Sequence, residues 1–134
     1  DRWMVRCMAA SGVPDLSPLD VLVIHTIAHR AKPKRLADIC LVLSIEDTHL
    51  VTYSVKKLNG HGLIASGKSG NEKVVSLTKK GEEMIRAYTR LRERLLVAPV
   101  KSSGSDPRRL SEVAALMRAM SGHYDQAARA AASL

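Results

Sequence analysis

The chain has 134 residues, 46% hydrophobic but only 3% aromatic and without Phe, which suits one compact domain or one domain with an appendage, and a core of Val, Leu, Ile, Ala and Met. Two cysteines, Cys7 and Cys40, exclude a disulfide framework and a paired metal-ligand spacing, and no apolar run approaches the length of a membrane span. The net charge is +8 with a pI of about 9.9, and +6 of it falls in residues 30–80, where ten Lys/Arg face four Asp/Glu; charge of this sign so concentrated favours an anionic partner, most often nucleic acid.

A reduced cytoplasm is the default setting for this cysteine usage, with no membrane association and no cofactor expected. No signal peptide is legible, and the chain opens on Asp1 rather than Met, so the sequence does not tell whether residues precede it.

Along the chain, "DRWMVRCMAA" reads as the end of a helix that "SGVPDL" breaks. "LSPLDVLVIHTIAHRA" is a strong helix: Ser17 suits the N-cap, Pro18 the first helical position, and Asp20 completes an S-x-x-D capping box. Val21, Ile24, Ile27 and Ala28 fall on one face. "RLADICLVL" is a short second helix with Leu36, Ile39, Cys40 and Leu43 at helical spacing. Its cap is poor, because Lys34 and Arg35 lack a short side-chain acceptor. "SIEDTHLVTYSVKKLNGHG" is the third helix, over about residues 46–59, with Ser44 as its cap and Gly60 and Gly62 as its terminators.

The period then changes. Residues 63–66 and 73–77 alternate as two short strands, and "GKSGN" between them is a turn-rich basic tip. "TKKGEEMIRAYTRLRERLLVA" is a long amphipathic helix capped by Thr78, striped by Met84, Tyr88, Leu91 and Leu95, and stopped by Pro99. After the linker "VKSSGSD", the last segment is helical from Pro107, with a stripe of Leu110, Val113, Met117, Met120 and Tyr124 that "SGH" kinks or divides.

Three helices followed by a two-stranded hairpin form the winged helix-turn-helix arrangement, whose third helix enters the major groove. At 100° per residue, Val51, Val55 and Leu58 of that helix cluster within about 60° as its core face. His49, Thr52, Tyr53 and Lys56 lie opposite, spread over about 100°. That outward face holds no acid; it offers hydroxyls, an imidazole, a phenol and an ammonium, groups that bond base edges and phosphates.

The segments "LSPLDVLVIHTIA", "LADICLVLSI", "VTYSVKKLNGHGLI" and "VVSLTKKGEEMI" together resemble the MarR-type transcriptional regulators over about residues 16–90. The resemblance implies a mainly α fold with a small β-hairpin wing. Residues 16–80 would be the winged helix-turn-helix DNA-binding domain. It would be flanked by an N-terminal helix end and linker (1–15) and C-terminal helices (81–134) that build a homodimer. It further implies binding to a roughly palindromic operator and a small-molecule effector held between wing domain and dimer helices. Carried over by position, Thr48, His49, Thr52, Tyr53 and Lys56 match the recognition helix, and Lys68 and Lys73 fall in or beside the wing. The family's wing is longer and carries an Asp-x-Arg pair whose arginine reaches the minor groove. "GKSGNEK" is shorter and has no arginine, so lysine-to-phosphate contact is expected instead. Lys57 and the cluster at residues 30–35, including Lys34 and Arg35, are the remaining candidates for phosphate neutralisation.

Other constellations carry less. His25 and His29 are four apart on one helix, but the Glu of H-E-x-x-H is missing and no third ligand is marked, so no metal is expected. A peroxide-sensing branch of the MarR family uses an N-terminal cysteine, which makes Cys7, with Arg2 and Arg6 nearby, a redox candidate beside its reading as a buried structural thiol. No G-x-S-x-G, phosphate loop or paired-carboxylate pattern occurs, and no enzyme is expected. Two rival readings stay open: a winged-helix protein-interaction module, and a non-specific DNA binder that has lost operator reading.

Overall fold

Four of the helices begin where a short acceptor side chain, Ser17, Asp47, Thr78 or Asp106, meets orphan backbone N–H groups. The computed structural model describes residues 1–104 and 106–134. Helix α1 spans Arg2–Ala10, and α2 spans Pro18–Ala28 with the full capping box: Ser17 Oγ accepts from the Asp20 backbone, and Asp20 accepts from the Ser17 backbone. The short 3-10 turn His29–Ala31 follows. Helices α3 (Leu36–Leu43) and α4 (Thr48–Gly60) are the second and third helices, as their spacing predicts.

Several boundaries differ from the sequence reading. Ser44 does not cap α4; it closes α3 in the left-handed region (φ 52°), and its N–H donates to the Leu41 carbonyl. Asp47 is the N-cap of α4, accepting from the His49 N–H at 2.9 Å, so Glu46 lies outside the helix. Gly60 is the last helical residue, and the chain turns at Gly62, whose φ is 70°.

The wing is a three-stranded antiparallel sheet in the order β1-β3-β2 rather than a bare hairpin. β1 is only Lys34–Arg35, paired with Val75 and Val74 of β3 (Glu72–Leu77). β2 runs Ile64–Ser69, so the strands extend further than expected and leave only Gly70 and Asn71 at the tip. Gly70, with φ 61°, takes the left-handed first position that two-residue hairpin turns favour.

Helix α5 spans Lys79–Arg92. It starts at Thr78, whose hydroxyl oxygen accepts from the Gly81 N–H at 3.1 Å while its O–H donates to the Gly62 carbonyl at 2.7 Å. A Cβ on Gly81 would stand 2.0 Å from the Leu63 carbonyl oxygen, so the helix can enter this close to the β2 strand only with glycine there. Pro99 does not stop the helical path: a π turn, Glu93–Val97, leads into α6 (Ala98–Ser102), where Pro99 occupies the first turn, which needs no proline N–H. The linker expected at residues 100–106 is thereby shortened; Ser105 lies outside the described residues. Helix α7, capped by Asp106, runs Pro107–Ala131 undivided through Ser121, Gly122 and His123, against the expectation of a break.

The chain forms two units, Asp1–Arg94 and Leu95–Leu134. The first holds one core, in which Met8, Ile24, Ile39, Val51, Leu58, Leu63, Val75 and Met84 from six helices and strands are buried together. In the second, the α7 stripe Leu110, Val113, Met117, Met120 and Tyr124 is exposed throughout. No helix among the described residues is long and apolar enough to cross a membrane.

Candidate nucleic-acid interface

The outward face of α4 is set by how the helix is held. Val51, Val55 and Leu58 are buried, as its periodicity predicts, and so is Ser54, which the apolar pattern does not mark. With those four inward, Thr48, His49, Thr52, Tyr53 and Lys56 are all exposed, Tyr53 at 71%. The Thr52 hydroxyl donates to the Thr48 carbonyl at 2.9 Å. Its remaining capacity toward a base is therefore an acceptor lone pair and a methyl group, a pairing suited to thymine methyls and base amines.

Between α4 and β2 runs an open groove of about 650 Å³, lined by Thr52, Lys56, Asn59, Ala65 and Ser66 among others. Asn59 fixes its floor by donating from Nδ2 to the Ile64 carbonyl at 3.2 Å. On the wing, Lys68 and Lys73 are directly opposed across the two strands and so share one face of the hairpin. Both are exposed.

The other basic candidates are occupied differently. Arg35 forks onto Asp38, with Nε and Nη2 at 2.9 and 2.7 Å, and reaches Glu72 at 3.2 Å, tying the start of α3 to the wing. Those carboxylates raise its pKa. Lys34, half-buried, pairs with Val75 in β1. Lys57 turns its ammonium inward, to the Asp20 carboxylate at 3.1 Å and to the Asp15 carbonyl.

Asp20 has more partners than its capping motif shows. Only 2% exposed, it accepts from Ser54 Oγ at 2.7 Å and the Ser17 N–H at 2.8 Å besides pairing with Lys57. Burial alone would raise its pKa; the bonds from Ser54, Ser17 and Lys57 outweigh burial and hold the carboxyl below its ordinary value. The sequence shows the local partner three residues away, but nothing in its spacing shows Ser54.

Cys7 is buried, and burial pushes its thiol up, with Arg92 pulling weakly the other way. That is the opposite of the exposed, low-pKa thiolate a redox cysteine needs, so the redox assignment of Cys7 has no support in its surroundings. His25 donates from Nδ1 to the Val21 carbonyl at 2.8 Å and meets the Tyr88 ring edge-on at 4.5 Å, while its Nε2 is buried without a hydrogen-bond partner. No group of three or more metal-ligating side chains occurs among the described residues.

Residues 16–81 match a family model described as a winged helix DNA-binding domain. No curated protein matches the chain in sequence. Among solved structures, a MarR family transcription regulator superposes with a TM-score of 0.74 at 13% identity, over 96% of this chain and 82% of that one. The chain has the MarR-type winged-helix fold. Two further neighbours in structure carry ligand information of their own. BpsR of Bordetella bronchiseptica, whose DNA binding is regulated by 6-hydroxynicotinic acid, superposes with a TM-score of 0.64 at 20% identity, over 87% of this chain and 90% of that one. The heme sensor PefR of Streptococcus agalactiae, solved with heme, gives 0.59 at 20% identity, over 91% of this chain and 84% of that one.

Proposed function

We propose that the chain is a homodimeric, MarR-type transcription regulator of the cytoplasm that reads a specific double-stranded DNA operator with α4 in the major groove. The observation that carries this reading is the acid-free outward face of α4. Five polar side chains stand exposed on it while the opposite face is locked into the core. His49, Thr52 and Tyr53 serve as base readers, with Thr48 and Lys56 beside them. Lys68 and Lys73 contact phosphate from the wing, and Lys34 adds positive charge at the sheet edge. Arg35 acts indirectly, by holding the wing base to α3 through Glu72 and Asp38.

The apolar stripe of α7, exposed along a 25-residue helix, supports pairing with a second copy, since a lone helix with such a face gains most of its stability from packing. Two copies would set two reading heads at a fixed spacing on a near-palindromic site. The ligand-responsive neighbours support a small-molecule effector that acts by shifting that spacing.

The β2–β3 hairpin of the wing, with two lysines and no arginine, favours one rival, a binder that grips backbone without reading sequence. Competition between a selected site and random DNA separates the two: operator reading gives a large preference, and backbone gripping gives none.

A further inference from the structure

We infer that Asp20 is a positioning residue for DNA reading: its buried carboxylate clamps the rotation of α4 through Ser54 and Lys57, and Lys57 serves this clamp rather than a phosphate. The inference rests on the reading of α4 as the recognition helix. One carboxylate is shared among three groups. Oδ1 accepts from Ser54 Oγ at 2.7 Å, and Oδ2 accepts from the Ser17 N–H at 2.8 Å and pairs with Lys57 Nζ at 3.1 Å. Ser54 and Lys57 are one turn apart on α4, so the carboxylate grips that helix at two points. Lys57 extends the grip by donating to the Asp15 carbonyl in the loop before α2.

Apolar packing of Val51, Val55 and Leu58 fixes which face of α4 is buried but is non-directional. A rotation of about 20° would keep those side chains in the core, yet at a side-chain radius of about 5–6 Å it would carry a reading group by roughly 2 Å. Base hydrogen bonds do not survive a displacement of that size. Charge-assisted hydrogen bonds to a buried carboxylate supply the missing direction. The clamp thus contributes to the difference between operator and random DNA, and little to phosphate attraction.

The two roles for Lys57 leave different signatures. The test measures anisotropy binding of full-length Lys57→Met, Lys57→Arg and Asp20→Asn to a selected operator and to random DNA across a salt series, with circular dichroism checking the fold. The clamp predicts that Lys57→Met and Asp20→Asn lower the operator-to-random preference at least about tenfold with the salt slope unchanged, and that Lys57→Arg restores most of the preference. If Asp20→Asn does not fold, Ser54→Ala, which keeps the ion pair, is expected to lower the preference alone. Equal losses on operator and random DNA for Lys57→Met, with the salt slope reduced by about one, would make Lys57 a phosphate contact and overturn the clamp. A wild-type protein with no preference for any sequence would instead overturn the DNA-reading assignment itself, and the clamp with it.

Discussion

Lys68 and Lys73 stand directly opposite one another across β2 and β3, two like charges on one face of the wing. Like charges so paired repel, which the fold tolerates because both ammoniums reach solvent. An anion laid along that face would relieve the repulsion. Replacing either lysine by Ala is therefore expected to leave stability unchanged or raised by a few tenths of a kcal/mol. Binding should weaken on every DNA sequence alike, with the salt slope flatter by about one for each lysine removed. Anisotropy titrations in a salt series, beside a urea melt, check both halves.

Gly81 gives a prediction on stability. A Cβ there would meet the Leu63 carbonyl oxygen at 2.0 Å and its carbon at 3.0 Å, both backbone atoms that cannot swing aside. Gly81→Ala should destabilise the first unit by about 1–3 kcal/mol, as overpacking does elsewhere. A urea midpoint equal to wild type would show that α5 does not enter the domain along this path.

Acid should weaken the fold in two steps. Burial lowers the pKa of His25, so below the ordinary histidine value of about 6.5 the unfolded chain binds a proton that the folded chain refuses, and stability falls from there downward. Asp20 is held below the ordinary carboxylate value, so its contribution persists to about pH 4 and is lost beneath it. His25→Phe keeps a ring against Tyr88 and removes the orphan Nε2. Its urea midpoint should be flatter than wild type between pH 7 and 5, and an unchanged slope would sink the assignment.

For the dimer, Met117→Glu puts a charge in the middle of the α7 stripe. Wild type is expected to scatter light as twice the 14.6 kDa chain, and the variant as a single chain with the circular dichroism of the first unit retained. A wild type already monomeric at micromolar concentration would contradict the two-headed mechanism.

Much of this was legible in the sequence because the signals are local. The Ser17–Asp20 box, the Thr78 cap and the Val51, Val55, Leu58 face each depend on residues within one or two turns. What escaped depends on long-range partners. β1 is two residues that become a strand only by pairing with Val74 and Val75, about forty positions on. Ser44 has the chemistry of an N-cap, but it takes the left-handed turn that ends α3, closed by the Ile45 N–H on the Cys40 carbonyl at 2.9 Å, and Asp47 caps α4 instead. Of the basic candidates, composition marked Arg35 and Lys57 as free positive charge; only the fold brings Glu72 and Asp20 to them.

The most direct test of α4 as a sequence reader is selection from a random oligonucleotide pool by the full-length protein, followed by anisotropy on the selected and scrambled sites in a salt series. The account predicts an enriched near-palindrome, a steep salt slope on both sites, and a preference that Tyr53→Ala or Thr52→Ala relaxes without flattening the slope. Steep salt dependence with no enriched sequence would contradict it, because the charge would then bind DNA while the helix read nothing.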